Sequence, residues 1–262
     1  MDLGIHGRVA IISGGSAGMG LAAARSLAMA GVDLFVSARG PDRLMSVCKE
    51  LALTTGRKVT PVVADHGTEK GRALILDHCP SPDILIVTSS PPPTTDDYTE
   101  ITTQQWEAAL STGLIGPVEL MKAVAPGMAE RRFGRIVNIS TVAAKSPLMW
   151  RALSGPPRAA LMNYMVALSK RVASKNVSVN AVLPGLFQTE GSRKILERQA
   201  EARGVPVEEE IAKQVKRFQI PAKKLGNPED VGAFCAMLCS QYAGYITGQA
   251  IVIDGGITTS TF

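Results

Sequence analysis

The chain has 262 residues, a formal net charge of +5 and a sequence pI of about 9.1. That length allows a sizeable core, and no Pro/Gly/Ser linker or shift in composition divides it, so one domain over residues 1–262 is expected. The cationic residues are scattered, as in Arg131, Arg132 and Arg135 and then Lys213, Lys216, Arg217, Lys223 and Lys224, with no interleaved aromatics to stack bases, which argues against a nucleic-acid partner.

No apolar run approaches the length of a membrane span, and the first residues lack a basic region followed by an apolar core. A cytoplasmic protein without a membrane partner is expected, and the four cysteines fit a reducing compartment. Cys235 and Cys239 lie one helical turn apart. With no further ligands nearby they read as small core residues, and no metal site is expected.

Strands and helices alternate along the chain. Residues 9–12 are a short apolar run of β-formers, and an Ala-rich helix covers 21–30. Strand 32–38, helix 41–53, strand 59–64, helix 69–79 and the nearly all-apolar strand 84–88 follow. A long helix is expected over 103–128, a strand over 135–140, a helix ending near 174 and a strand over 177–183. A helix with Pro at its start covers 228–239, and a last strand covers 250–254. This rhythm predicts a parallel sheet with helices on both faces and a ligand site at the carboxyl ends of the strands.

Gly14, Gly18 and Gly20 stand between the first strand and the first helix. A tight turn would use glycine too, but between a strand and a helix such a turn also lets a phosphate approach the free N–H groups and positive end of the helix. Gly14, Ser16, Gly18, Met19 and Gly20 are the expected contacts. The second strand ends Ser37-Ala38-Arg39, with Ala38 where an acidic residue would hold a free ribose hydroxyl and Arg39 beside it; Arg43 lies one turn on. These arginines could be plain surface residues. Downstream of a glycine loop they favour a ribose phosphate, hence NADP(H) rather than NAD(H).

The motif Ser13-Gly14-x-x-x-Gly18-x-Gly20 resembles the TGxxxGxG loop of the short-chain dehydrogenase/reductase family. Asn180-Ala-Val-Leu-Pro184-Gly185-Leu-Phe-Gln-Thr189, Gly226-Asn-Pro-Glu-Asp230 and the segment from Tyr245 to Gly256 are similar to further family segments, in the family's order. The resemblance covers nearly the whole chain. It implies a Rossmann-type doubly wound parallel sheet of about seven strands in a three-layer α/β fold. It places Asp65 near the adenine, Thr88 at the cofactor, Pro184, Gly185 and Leu186 beside the nicotinamide, and Thr189 on its amide. It also implies a homotetramer or dimer.

Family members reduce carbonyls with a Tyr acid, a Lys four residues later, a Ser that orients the substrate and an Asn that holds a relay water. Here Thr141 stands in the Ser position with Ser140 beside it, Ser154 in the Tyr position, Arg158 in the Lys position and Gly113 in the Asn position. The family's Asn-Asn-Ala-Gly is Thr88-Ser89-Ser90-Pro91. An aliphatic hydroxyl is a far weaker acid than a phenol, and Arg stays protonated, so Arg158 can stabilise an oxyanion or hold a ribose but cannot relay a proton. Tyr164, ten residues along the helix from Ser154, faces elsewhere and reads as a packing residue. Pro156 and Pro157 predict that the helix begins near Pro157, with Gly155 and Pro156 outside it and Ser154 in the loop before.

Between 186 and 222 the chain leaves the βα rhythm, where the resemblance places a substrate lid. Phe187, Ile195, Leu196, Ile211, Val215, Phe218 and Ile220 give it an apolar face, and Leu148, Met149 and Trp150 follow the fifth strand; these residues either meet an apolar carbonyl substrate or pack the lid to the body. Two readings stand: an NADP(H)-dependent oxidoreductase of a small-molecule carbonyl/alcohol pair with an altered proton donor, or a catalytically impaired NADP-binding sensor, scaffold or partner subunit.

Overall fold

The apolar runs pair into one sheet. A computed structural model describes residues 1–259. Its strands are β1 (Val9–Ser13), β2 (Asp33–Ala38), β3 (Val59–Val63), β4 (Ile84–Thr88), β5 (Gly134–Ile139), β6 (Val177–Pro184) and β7 (Ala250–Ile253), all parallel in the order 3-2-1-4-5-6-7. Ile11 sits opposite Phe35 on one side and Leu85 on the other. Every residue of β5 and β6 is buried, including the polar Arg135, Asn138, Ser178 and Asn180.

The helices are α1 (Gly18–Met29), α2 (Pro41–Thr55), α3 (Glu69–His78), α4 (Thr103–Leu110), α5 (Gly116–Glu130), α6 (Gly155–Val172), α7 (Glu190–Arg203), α8 (Val207–Arg217) and α9 (Pro228–Cys239). On one face Leu27, Leu44, Leu51 and Cys235 of α1, α2 and α9 pack on the sheet. On the other, Ile75, Leu120, Met128 and Leu161 of α3, α5 and α6 do so. The result is the three-layer Rossmann-type α/β fold, with its strand-order switch between β1 and β4. All four cysteines are free and buried, Cys235 and Cys239 within the first of these cores.

The expected long helix over 103–128 is interrupted. Residues Ser111–Ile115 form a π-helical turn between α4 and α5. Pro117 has no N–H for the carbonyl one turn back, so the regular ladder cannot run through. The combined stretch Thr103–Glu130 is nevertheless 28 residues long and holds an 18-residue window with a mean hydropathy of 1.2, long and apolar enough to cross a bilayer by length and composition alone. Glu107, Glu119 and Lys122 punctuate it, so it holds no unbroken apolar run of that length. Its inner face, Leu120, Met121, Val124 and Met128, is part of the core.

Candidate active site

The glycine loop lies at the carboxyl end of β1. The N–H groups of Gly14 and Gly15 both donate to Ser37 O, at 2.9 and 3.2 Å, which ties the loop to β2. Gly14 has φ +84° and a Cβ there would stand 2.3 Å from Thr88 O, so only glycine fits between β1 and β4. Gly18 has φ +53° and faces Thr189, whose Cγ2 would lie 3.5 Å from a Cβ. Met19 packs on the core. The α1 N-cap is Ala17, with no side-chain cap and no acidic residue in the first turn. By contrast, Thr68, Thr102, Thr189 and Asn227 cap α3, α4, α7 and α9 with their side chains. An uncapped helix start with open N–H groups is chemically suited to a phosphate.

Arg39 is exposed at the end of β2. Arg43 is engaged elsewhere: its Nε donates to Ser16 O at 2.9 Å and its Nη2 pairs with Glu190 at the start of α7. Of the two arginines, only Arg39 is without a protein partner among the described residues. Asp65 closes the turn after β3, its Oδ1 accepting from Gly67 N at 2.8 Å, while the cap of α3 itself is Thr68. Pro184 is buried at the end of β6, and Gly185 and Leu186 follow half-buried. Thr189 Oγ1 accepts from Ser192 N at 3.2 Å as the cap of α7.

Of the expected catalytic residues, Ser154 meets the Arg158 guanidinium, and Thr141 makes no hydrogen bond to it. Arg158 is 6% exposed. Its Nη2 donates to Ser89 Oγ at 2.7 Å, and its Nη1 donates to Ser154 O and Ser154 Oγ at 3.2 and 3.3 Å. Burial, reinforced by the Arg151 charge, pushes its pKa down to about 10, so it remains cationic at neutral pH. Thr141 follows β5, its Oγ1 accepting from Ala143 N at 3.3 Å. Ser140 Oγ and Asn138 Oδ1 are buried without a hydrogen-bond partner; Asn138 Nδ2 donates to Val87 O at 3.1 Å.

The start of α6 corrects the expectation drawn from the prolines. Gly155 and Pro156 lie inside the helix, and Ser154 is its N-cap, with φ −100° and ψ −49°. The clash that keeps a residue before Pro out of the α region is weakest for glycine, and the first-turn prolines lack N–H groups that would be unpaired anyway. Gly155 is also forced by packing, since a Cβ there would lie 2.7 Å from Ala143 O. Gly113, in the π-turn, belongs to the same packing: its Cβ would stand 3.1 Å from Pro157 Cβ and 3.6 Å from Arg158 Nη1. The departures at Gly113, Pro157 and Arg158 therefore fit one another.

The segment after β6 forms α7 and α8. Both of its roots are pinned, with Gln188 N donating to Gly226 O at 2.8 Å and Gly226 N to Leu186 O at 2.9 Å. Phe187, Leu196 and Ile220 are buried, whereas Ile195 is 56% exposed and points away from the body. Phe218 meets Trp150 with ring centroids 6.2 Å apart, and the Trp150 carbonyl accepts from Thr95 N at 3.4 Å.

Two further groups, Ser89 and His66, join the site although no role was expected of them. Ser89 was noted only as a departure in a motif. His66 was not singled out: its Nδ1 accepts from Ser13 Oγ at 2.8 Å and its Nε2 donates to Thr112 O at 3.1 Å, linking the glycine loop to the π-turn. Burial lowers its pKa.

The glycine loop at the strand-order switch, and the hydroxyls after β4 and β5 with the guanidinium of α6, define a Rossmann-type α/β protein with a candidate ligand site. A family model described as enoyl-(acyl carrier protein) reductase matches residues 14–258. The chain belongs to the short-chain dehydrogenase/reductase family. It is 30% identical to the 3-oxoacyl-(acyl-carrier-protein) reductase of Aquifex aeolicus over 98% of this chain and 100% of the relative. The L-sorbose reductase of Gluconobacter frateurii, solved with NADPH and L-sorbose, superposes with a TM-score of 0.94 at 28% identity, covering 99% of this chain and 100% of that one. A short-chain oxidoreductase of Pseudomonas aeruginosa PAO1, NADPH-bound and containing an atypical catalytic center, gives a TM-score of 0.86 at 25% identity over 97% and 98% of the two chains.

Proposed function

We propose that this chain is an NADP(H)-dependent oxidoreductase acting on a carbonyl/alcohol pair, with Arg158 as an electrostatic element where the family pattern has Tyr and Lys. The observation that carries the proposal is the buried Arg158 guanidinium held by Ser89 and Ser154 at the carboxyl ends of the strands.

The residues present fit the cofactor. The uncapped start of α1 and the turn Gly14–Gly18 suit the pyrophosphate, and the unpartnered Arg39 beside Ala38 suits the 2′-phosphate of NADP(H) rather than the free hydroxyl of NAD(H). Asp65, Thr88, Pro184, Gly185, Leu186 and Thr189 line the way toward the nicotinamide by their likeness to the family pattern. NADPH, when bound, supplies the hydride that reduces a carbonyl carbon.

The protein's own part is to stabilise charge and to orient. Arg158, with Thr141 and Ser154 as hydroxyl partners, favours negative charge on a carbonyl oxygen in a site sheltered from water. Arg158 keeps its proton at neutral pH, so the proton that completes the alcohol comes from water. Trp150 and Phe218, with ring centroids 6.2 Å apart, join the segment after β5 to the segment after β6. Carbonyl-dependent oxidation of NADPH, measured beside equilibrium NADPH binding, tests the reading. Binding without any turnover would favour a sensor or partner subunit instead.

A further inference from the structure

The ring of His66 touches both halves of the site. It lies in the turn after β3, beside Asp65, and is 7% exposed. Its Nδ1 accepts from Ser13 Oγ at 2.8 Å, and Ser13 is the last residue of β1, fully buried and next to Gly14 of the glycine loop. Its Nε2 donates to Thr112 O at 3.1 Å. A carbonyl can only accept, so Nε2 carries the hydrogen and Nδ1 keeps the lone pair that the Ser13 hydroxyl meets.

Both regular helical partners of the Thr112 carbonyl are lost. In the π-turn Gly116 N donates five residues back, to Ser111 O. The next nitrogen in that pattern belongs to Pro117, which has no hydrogen for Thr112 O. The Nε2–H of His66 takes that place. His66 is itself held tightly: Arg72 Nη1 donates to its carbonyl at 3.0 Å, and Gly116 lies so near that a Cβ there would stand 2.7 Å from the ring Cδ2. One residue on from Thr112, a Cβ on Gly113 would stand 3.6 Å from Arg158 Nη1, so the turn that His66 anchors adjoins the guanidinium.

Resting on the NADP(H) oxidoreductase reading, we infer that His66 is a positioning residue with two separable roles: its Nδ1 fixes the glycine loop for the cofactor, and its Nε2–H fixes the π-turn for Arg158.

Asparagine and glutamine divide the two roles, since the Asn amide stands where Nδ1 does and the Gln amide where Nε2 does. His66→Asn keeps an acceptor for Ser13 and loses the donor to Thr112, His66→Gln does the opposite, and His66→Phe loses both. In the full chain the NADPH dissociation constant is expected to stay within about twofold of wild type in His66→Asn and to rise about fivefold or more in His66→Gln, His66→Phe and Ser13→Ala. Amide hydrogen exchange over Ser111–Ile115, read without cofactor, is expected to be about fivefold or more faster in His66→Asn and His66→Phe and unchanged in His66→Gln and Ser13→Ala. The turnover number should follow the exchange and not the affinity. A histidine that only fills space would give the same losses in His66→Asn and His66→Gln. That pattern, no loss in either, or further weakening of NADPH when His66→Gln is added to Ser13→Ala would overturn the inference. Unchanged NADPH affinity in Ser13→Ala would overturn it even where a His66 variant fails to fold. A wild type that binds NADPH without turnover would defeat the oxidoreductase reading alone, because affinity and exchange are read without it.

Discussion

Arg158 Nη2 donates to Ser89 Oγ at 2.7 Å, joining the first turn of α6 to the residue that follows β4. This bond holds the guanidinium at the carboxyl ends of the strands. Removing it in Ser89→Ala forfeits one charge-assisted hydrogen bond, about 1.5–3 kcal/mol. The expected outcome is a fall in kcat/KM of about tenfold or more with little change in NADPH affinity. Initial rates and a cofactor titration on the same preparation check it.

Arg39 is predicted to set the cofactor preference. Arg39→Ala should weaken NADPH by about tenfold or more and leave NADH unchanged. Arg43→Ala should have the smaller effect on the NADPH/NADH ratio, because Arg43 is already bound to Ser16 and Glu190. Fluorescence titration of both cofactors separates the two arginines.

Restoring the family's side chains should not restore the family's chemistry. Ser154→Tyr with Arg158→Lys leaves Gly113 packed on Pro157, so a relay group still has no room at the π-turn. Gly113→Asn alone should cost about 1–3 kcal/mol by overpacking against Pro157. Denaturant midpoints measure the cost. Ordinary carbonyl reductase rates from the double variant, or an undiminished midpoint in Gly113→Asn, would contradict the packing argument.

His66 should confer a pH dependence on stability. Its folded pKa lies below the ordinary 6.5, chiefly through burial, with Arg39 and Arg72 acting the same way and Asp65 and the Thr112 carbonyl opposing. The sign follows: the unfolded chain takes up a proton first, so this contribution is complete above pH 6.5 and is lost as pH falls from there toward the folded pKa. Unfolding of the wild type at about pH 7.5 and about pH 5.5 should show the loss, and His66→Gln should flatten that part of the profile.

The sheet and the glycine loop were legible because their signals are local. An apolar run such as residues 84–88, too short for a helix and bounded by Pro and Ser residues, reads as a strand buried on both faces, and glycine between β1 and α1 marks a turn. The catalytic side depends on meetings between distant residues. Ser89 and Arg158 are 69 positions apart, and Ser13 and His66 are 53 apart, and no spacing rule links such pairs. The start of α6 differs from expectation because the pre-proline rule was applied to Gly155 and Pro156; glycine is the residue type least bound by it, and two prolines in a first turn forfeit no helical hydrogen bond. The π-turn was missed because Gly113 and Pro117 sit within a pattern that otherwise continues as helix.

The central claim is that Arg158 makes this a working NADP(H) oxidoreductase without the Tyr and Lys. The most direct measurement is carbonyl-dependent loss of nicotinamide absorbance, compared between the wild type and Arg158→Met, with NADPH binding measured on both. The account predicts steady consumption by the wild type and a fall of about a hundredfold or more in the variant while NADPH still binds. Equal rates in the two proteins, or no carbonyl-dependent consumption by an NADPH-loaded wild type, would contradict it.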